Sequence, residues 1–222
     1  MKKIKIAQFI LVTTLFSCKN DQLNNSYVYF NEPQPVNVEA VTSFPNKYIG
    51  TFNRDYSHQL KVESNCIIKI EIDSYKATKI EMDSLPDVVF KNNVVYDKET
   101  QKAFKTIIQN DTIKWENKRV DTTFSFDRDE VAKRYKSSLI LNKKVNGNYL
   151  VNIIKFDFSG NKYIQFGTRK DFVKIKRQLK IPFDTSVENG DTTFVVLKPN
   201  RADFRKLLRL DGFEFEQMYY FK

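Results

Sequence analysis

Val120-Asp121-Thr122-Thr123-Phe124-Ser125-Phe126-Asp127 is the stretch that decides the fold class. Val120, Thr122, Phe124 and Phe126 alternate with Asp121, Thr123, Ser125 and Asp127. A period of two places the first set on one face of a strand and the second on the other, one dry and one wet. The same texture of β-branched and aromatic residues, broken by turn residues, recurs on both sides from Phe44 onward. Upstream, strands are expected over 47–53, 57–63, 66–73, 75–82, 87–90, 94–96, 104–109 and 112–116, with 119–127 as the stretch just quoted. Downstream they are expected over 137–145, 148–158, 162–168, 192–197 and 213–221.

The turns between these stretches are short. Asn146-Gly147 is the strong two-residue hairpin signal, because both positions of that turn need positive φ. Asn110-Asp111, Asn117-Lys118, Ser159-Gly160-Asn161 and Asn189-Gly190-Asp191 read as loops. Parallel strands need crossovers of a dozen residues or more, so these connections predict a mainly antiparallel sheet. Two short helices interrupt the pattern near the C-terminus. Thr168 and Asn200 each stand three residues before an acid, Asp171 and Asp203, as helix N-caps do. They predict helices over 169–179 and 201–210, with Phe204, Leu207 and Leu208 on one face of the second and Asp211-Gly212 as its stop. Arg169-Lys170-Asp171-Phe172 and Arg201-Ala202-Asp203-Phe204 are faintly alike, which a decayed repeat or chance both explain. The fold class expected is α+β: a mainly antiparallel β-sheet, barrel-like if it closes, with two short C-terminal helices.

The N-terminus has a different texture. Lys2, Lys3 and Lys5 precede the apolar run from Ile6 to Phe16. That run is too short for a bilayer, which needs about 20 apolar residues, and suits the apolar region of a signal peptide. It ends in Leu15-Phe16-Ser17-Cys18. This resembles the lipobox of bacterial lipoproteins, although Phe16 departs from the small or β-branched residue usual at its place. The resemblance covers the first 18 residues. It implies that residues 1–17 are removed as a signal peptide and that Cys18 carries the lipid. It also implies a membrane contact through that lipid, since more than one acyl chain gives stable anchoring. Lys19-Asn20-Asp21-Gln22 loosely resembles the Lys-and-acidic export signal of Bacteroidetes surface lipoproteins, with a single acid. The location expected is the cell envelope, at the periplasmic face of the outer membrane, with surface display as the alternative. Residues 18–43, rich in Asn and Gln and holding Pro33 and Pro35, read as a polar tether onto which Tyr27-Val28-Tyr29-Phe30 docks. Residues 44–222 then form the β-rich domain.

Three of the 37 basic residues leave with the signal, so 34 stand against 27 acids. They are interleaved with the acids, without the basic block of a nucleic-acid-binding arm, so no nucleic-acid partner is expected. Cys66 is the thiol that remains once Cys18 is lipidated, which rules out an internal disulfide. Cys66, Ile68, Ile70 and Ile72 share one strand face, so Cys66 reads as a small core residue.

The search for catalytic chemistry finds little. His58 is the single histidine, so any serine or cysteine triad would have to use it, and Arg54-Asp55-Tyr56-Ser57 beside it suggests none. A zinc site needs more His or Cys than the chain offers. There is no phosphate-binding glycine loop and no Gly-x-Ser-x-Gly elbow. Glu71/Asp73 and Glu81/Asp83 are carboxylate pairs on expected strands, where a solvated face is the ordinary reading. Asp127-Arg128-Asp129-Glu130 lacks the spacing of a calcium loop. No cofactor, metal site or catalytic residue is expected, and the chain is expected not to be an enzyme. Lys47-Tyr48-Ile49-Gly50-Thr51-Phe52 is slightly similar to the Gly-x-Trp start of lipocalins, with Phe in place of Trp. That similarity implies a ligand-holding barrel. Two functions stay open: a non-enzymatic module that binds another envelope protein, and a lipocalin-like carrier or sensor of a small apolar ligand. The first predicts an exposed apolar or aromatic patch, for which Tyr219-Tyr220-Phe221 is one candidate. The second predicts a closed sheet around an apolar cavity. A hydrolase using two carboxylates is a distant third.

Overall fold

The computed structural model describes residues 27–157, 160–188 and 191–221. Cys18 and residues 1–17 lie outside the described residues, as do Ser159 and Asn189-Gly190. Within the described part the strands run as follows. First come β1 (Val28–Phe30), β2 (Ala40–Val41), β3 (Gly50–Asn53), β4 (His58–Val62) and β5 (Cys66–Thr78). A helical turn, α1 (Lys79–Met82), separates these from β6 (Val88–Lys91), β7 (Val94–Asp97), β8 (Lys105–Gln109) and β9 (Thr112–Ser125). Then follow β10 (Glu130–Tyr135), β11 (Ser138–Val145), β12 (Asn148–Asp157) and β13 (Gly160–Gln165). Helix α2 (Arg169–Gln178) leads to β14 (Phe183–Glu188) and β15 (Asp191–Leu197), and α3 (Arg201–Leu207) leads to β16 (Phe215–Phe221).

The strands pair in the order β14-β15-β1-β12-β13-β16-β3-β4-β5-β9-β8, with β11, β10 and β2 branching from β12. The class is as expected: antiparallel β with short helices. The closure is not, because the ends β14 and β8 do not pair and no barrel forms. Strand β16 explains the geometry. Its residues 215–219 pair with β13 and its residues 220–221 pair with β3. The sheet therefore folds over at β16 into two leaves instead of curling into a ring.

The first leaf is built around β11, β12 and β13, and both its faces are buried. On β11, Ile140 points to one core while Leu139 and Leu141 point to the other. On β12, Ile153 and Ile154 divide in the same way. One core lies under α2 and α3, where Phe172, Ile175, Phe204 and Leu207 cover the leaf beside Phe30 and Phe166. The other lies against the second leaf, β3-β4-β5-β9, through Phe52, Leu60, Ile67 and Phe124. A third, small core (Ala77, Met82, Val95, Phe104, Ile113 and Trp115) sits where β5 and β9 run on past the second core as a long arm. Each fully buried Val, Leu, Ile or Phe contributes about 1.5–3 kcal/mol, so these layers fix the architecture.

Local sequence accounts for several elements. Asn146 and Gly147 have φ of 49° and 82°, and their hairpin joins β11 to β12 as expected. Thr168 caps α2 through a reciprocal pair with Asp171, and the Asn200 side chain accepts from the Asp203 N–H. Other expectations are corrected. The strands expected at 66–73 and 75–82 are one strand followed by α1, because Thr78 and Glu81 form a capping box that starts a helix. The loop expected at Asn117-Lys118 lies inside β9, where Asn117 and Lys118 pair with Asp73 and Ile72. Strands β1, β2, β10 and β14 were not expected.

Residues 27–30 dock onto the domain as expected, and the residues after them, to Val41, are held as well instead of standing off as a tether. Val28 and Phe30 are buried, and β1 runs between β12 and β15, parallel to β15. More than a hundred residues separate β1 from β15, so the crossover that a parallel pair requires is available. Past β1 the segment is held by backbone recognition. The Asn142 Oδ1 accepts from the Gln34 N–H at 2.6 Å, and its Nδ2 donates to the Gln34 carbonyl at 2.9 Å. Lys133 Nζ donates to the Pro33 and Pro35 carbonyls at 2.8 and 2.9 Å. Asn142 is fully buried, so removing its amide strands both backbone groups of Gln34 away from water. Asn142→Ala is expected to lose about 2–3 kcal/mol in urea unfolding followed by circular dichroism. A loss below about 0.5 kcal/mol, the scale of an ordinary surface change, would mean that the segment does not depend on this amide.

Candidate functional site

The residues singled out in the sequence do not come together. His58 opens β4, and its Nδ1 lies 2.9 Å from Asp55 Oδ1. The bond from His58 holds the Asp55 carboxyl below its usual range. No serine hydroxyl or thiol is hydrogen-bonded to His58 among the described residues, so the pair is an exposed turn contact.

Cys66 is half-buried rather than a core residue. A bulge between Ile67 and Ile68 sits at this point of the β5–β9 ladder. Ile67 is the side chain that enters the core, and Cys66 falls on the opposite face with Ile68, Ile70 and Ile72. Burial and a hydrogen bond to Glu63 push the thiol pKa up, which makes a weaker nucleophile. Glu71 and Asp73 share Arg119, whose Nη2 and Nε lie 3.1 Å from each. Lys69 also bonds Glu71 and holds its pKa down. Glu81 is the cap partner of Thr78, and Asp83 ends α1, so that pair is not on a strand. No cluster of three metal-ligating side chains occurs among the described residues. Tyr219 is fully buried and Tyr220 is exposed, so the C-terminal aromatic cluster is divided between core and surface. Cys18 lies outside the described residues.

The acidic loop turns one member inward. Glu130 Oε2 accepts from the Ser125 N–H at 2.8 Å, and Lys143 Nζ is 3.8 Å from its Oε1. Its side chain is buried, and burial raises its pKa against the pull of that bond and of Lys143. An acid whose folded pKa is raised destabilises the fold once ionised, so the cost is present at neutral pH. It fades as pH falls to the unfolded value, near 4.5. Glu130→Gln keeps an acceptor for Ser125. It is expected to be more stable than the parent at pH 7 and to lose that advantage below about pH 4. Paired urea titrations at the two pH values measure the difference. An unchanged or opposite difference would show that the ionised carboxylate is well compensated.

Two surfaces remain that no local motif announces. The first is the outer face of the second leaf. Register places Ile68, Ile70 and Ile72 of β5 on the side away from Ile67 and Leu60. Val120 pairs with Ile70 on that same face and is 60 % exposed. Further along the arm, Lys76, Lys114 and Ile107 stand side by side across β5, β9 and β8, and Ile107 is 47 % exposed. No helix or strand covers this face among the described residues, whereas the first leaf is covered on both sides. β8 is also the last strand of the sheet, so its outer edge is a candidate for strand addition.

The second surface is an open groove of about 800 Å³ beside the end of β12. Four separated parts of the chain meet there: the helical turn at Asn46–Tyr48, the β10–β11 turn, the end of β12 and the end of α3. Its walls carry Lys47, Lys136, Lys155, Arg205 and Arg209, with Asp157 as the one acid. Tyr48 stacks on Phe156 at 4.1 Å between ring centroids and forms one wall with it, and Tyr135 also lines the groove. Compared with known proteins, the chain matches no family model, no curated sequence and no solved structure.

Proposed function

We propose that the protein is an exported lipoprotein of the cell envelope, anchored through Cys18, whose β-domain docks another envelope protein. The address rests on the Lys-rich start, the apolar run and the Leu15-Phe16-Ser17-Cys18 box. The periplasmic face of the outer membrane is the location that goes with this reading. The docking function rests on one observation: Ile68, Ile70, Ile72 and Val120 line up on a sheet face that no part of the described chain covers. Contiguous apolar surface of this kind marks interaction sites, because leaving it in water costs free energy that a partner recovers. The lysines at the edge of the face, among them Lys76 and Lys114, suit a partner with acidic residues around an apolar centre. The module works by binding, without a catalytic step.

Photo-cross-linking in cells tests this. A benzophenone side chain placed at Val120 or Ile107 is expected to give one discrete protein adduct. The same side chain at Val187, exposed on β14 away from that face, is expected to give none. Cys18→Ala should release the chain from membranes and abolish the adduct. Equal adducts from all three positions, or none from the first two, would overturn the docking face. Membrane attachment unchanged by Cys18→Ala would overturn the anchor.

A further inference from the structure

We propose that the groove between α3 and the end of β12 is a binding site for a phosphorylated ligand, with phosphate oxygens held among the cations and the rest of the molecule against the aromatic wall. The site is separate from the docking face and does not depend on it.

Charge is the first argument. Five cations line the groove against Asp157 alone, a formal excess of four positive charges in one concavity. Like charges gathered from four parts of the chain repel one another, and a bound anion would relieve that repulsion. The carbonyls at the end of α3 attract cations and account for Arg205 and Arg209. They do not account for Lys47, Lys136 and Lys155, which come from other elements. None of Lys47, Lys136, Arg205 and Arg209 forms an ion pair among the described residues, and Lys155 has only Asp211 at 3.9 Å. Burial draws the Lys155 pKa down against the pull of Asp211, and a further anion would oppose that shift.

Chemistry narrows the anion. Arg205 lies in the last turn of α3 and Arg209 in the turn that follows it, and each guanidinium offers a planar fork suited to phosphate. A phosphate monoester brings nearly two negative charges and three acceptor oxygens, enough for several of these donors at once. A single carboxylate brings half that charge. The wall of Tyr48, Phe156 and Tyr135 gives a planar or sugar portion a surface to lie on. Tyr48 adds an independent sign: it is 3 % exposed, and its hydroxyl has no hydrogen-bond partner. Buried hydroxyls are normally paired, so this one is an unused donor in a residue of the groove wall. The volume falls within the range of small-molecule sites.

The shared chemistry is a phosphate group, and two sources present it: a soluble phosphorylated compound and a phospholipid headgroup. Calorimetry on the full-length chain in a non-ionic detergent separates them. The soluble probes are pyrophosphate and glucose 6-phosphate, with glucose as the uncharged control. The lipid probe is phosphatidylglycerol in mixed micelles, with phosphatidylcholine for comparison. Saturable binding to a phosphorylated probe is expected, weakened roughly tenfold or more by Arg205→Glu with Arg209→Glu. Lys91→Glu with Lys180→Glu, which changes net charge equally on exposed sites outside the groove, should leave binding unaltered. If the arginine pair unfolds the chain, Lys136→Glu in the exposed β10–β11 turn takes its place with the same expectation. Binding to soluble probes alone assigns a soluble ligand, and binding to phosphatidylglycerol alone assigns a headgroup. No saturable binding to any phosphorylated probe would overturn the site. Equal weakening by the control pair would overturn it too, as attraction to net charge only.

Discussion

The leaf formed by β11, β12 and β13 is apolar on both faces, and that constraint organises the molecule. Leu139, Ile140 and Leu141 are consecutive and all buried, which a strand achieves only when both its sides are covered. Helices α2 and α3 cover one side. The other side needs a second apolar layer, and β3, β4, β5 and β9 provide it through Phe52, Leu60, Ile67 and Phe124. β16 belongs to both leaves, so the chain folds the second over the first without breaking the hydrogen-bonded ladder. The second leaf has given one face to the core and keeps the other for solvent or for a partner. The half-buried isoleucine stripe, with exposed Val120 beside it, thus follows from the same layering that makes the fold stable.

Much of the fold was legible where local rules act. The strand character of 120–125, the Asn146-Gly147 turn and the caps at Thr168 and Asn200 each state their structure within a few residues. The single dry face expected for Val120, Thr122 and Phe124 is broken by the bulge at Thr123, which leaves Phe124 in the core and Val120 exposed. The elements that escaped are set by distant partners. Val28–Phe30 is too short to announce itself, sits beside prolines, and becomes a strand only because β12 and β15 present open ladders to it. Asn117-Lys118 carries the composition of a turn, yet β5 pairs with it residue for residue. Cys66, Ile68, Ile70 and Ile72 do share one face of β5, but it is Ile67 on the other face that enters the core. Thr123, the residue of β9 left unpaired at the bulge, turns Thr122 and Val120 onto the outer face with them. The Thr78-x-x-Glu81 box was a readable helix start that the surrounding β pattern outweighed. The barrel failed because nothing local states whether the two ends of a sheet meet.

The candidate sites were less legible still, for the same reason. The isoleucine stripe reads as an ordinary core face until the uncovered side is known, and Val120 joins it only through the bulge at Thr123. The basic groove takes Lys47, Lys136, Lys155 and Arg205 from places spread over more than 150 residues, and no window of sequence holds two of its walls. Its cations look like dispersed solubility charge in one dimension and become a cluster only in three. The two surfaces lie on different parts of the molecule: one is apolar and flat, the other concave and charged. A docked protein and a small anionic ligand can therefore occupy them together.

The central claim is that the outer face of the second leaf is bare in the isolated protein and covered in the envelope. Hydroxyl-radical footprinting read by mass spectrometry measures that directly, residue by residue. The account predicts that Ile68, Ile70, Ile72 and Val120 react readily in the purified chain and are protected several-fold in intact envelopes, while exposed Val173 on α2 reacts alike in both. Equal reactivity of the isoleucine face in the two preparations would contradict it.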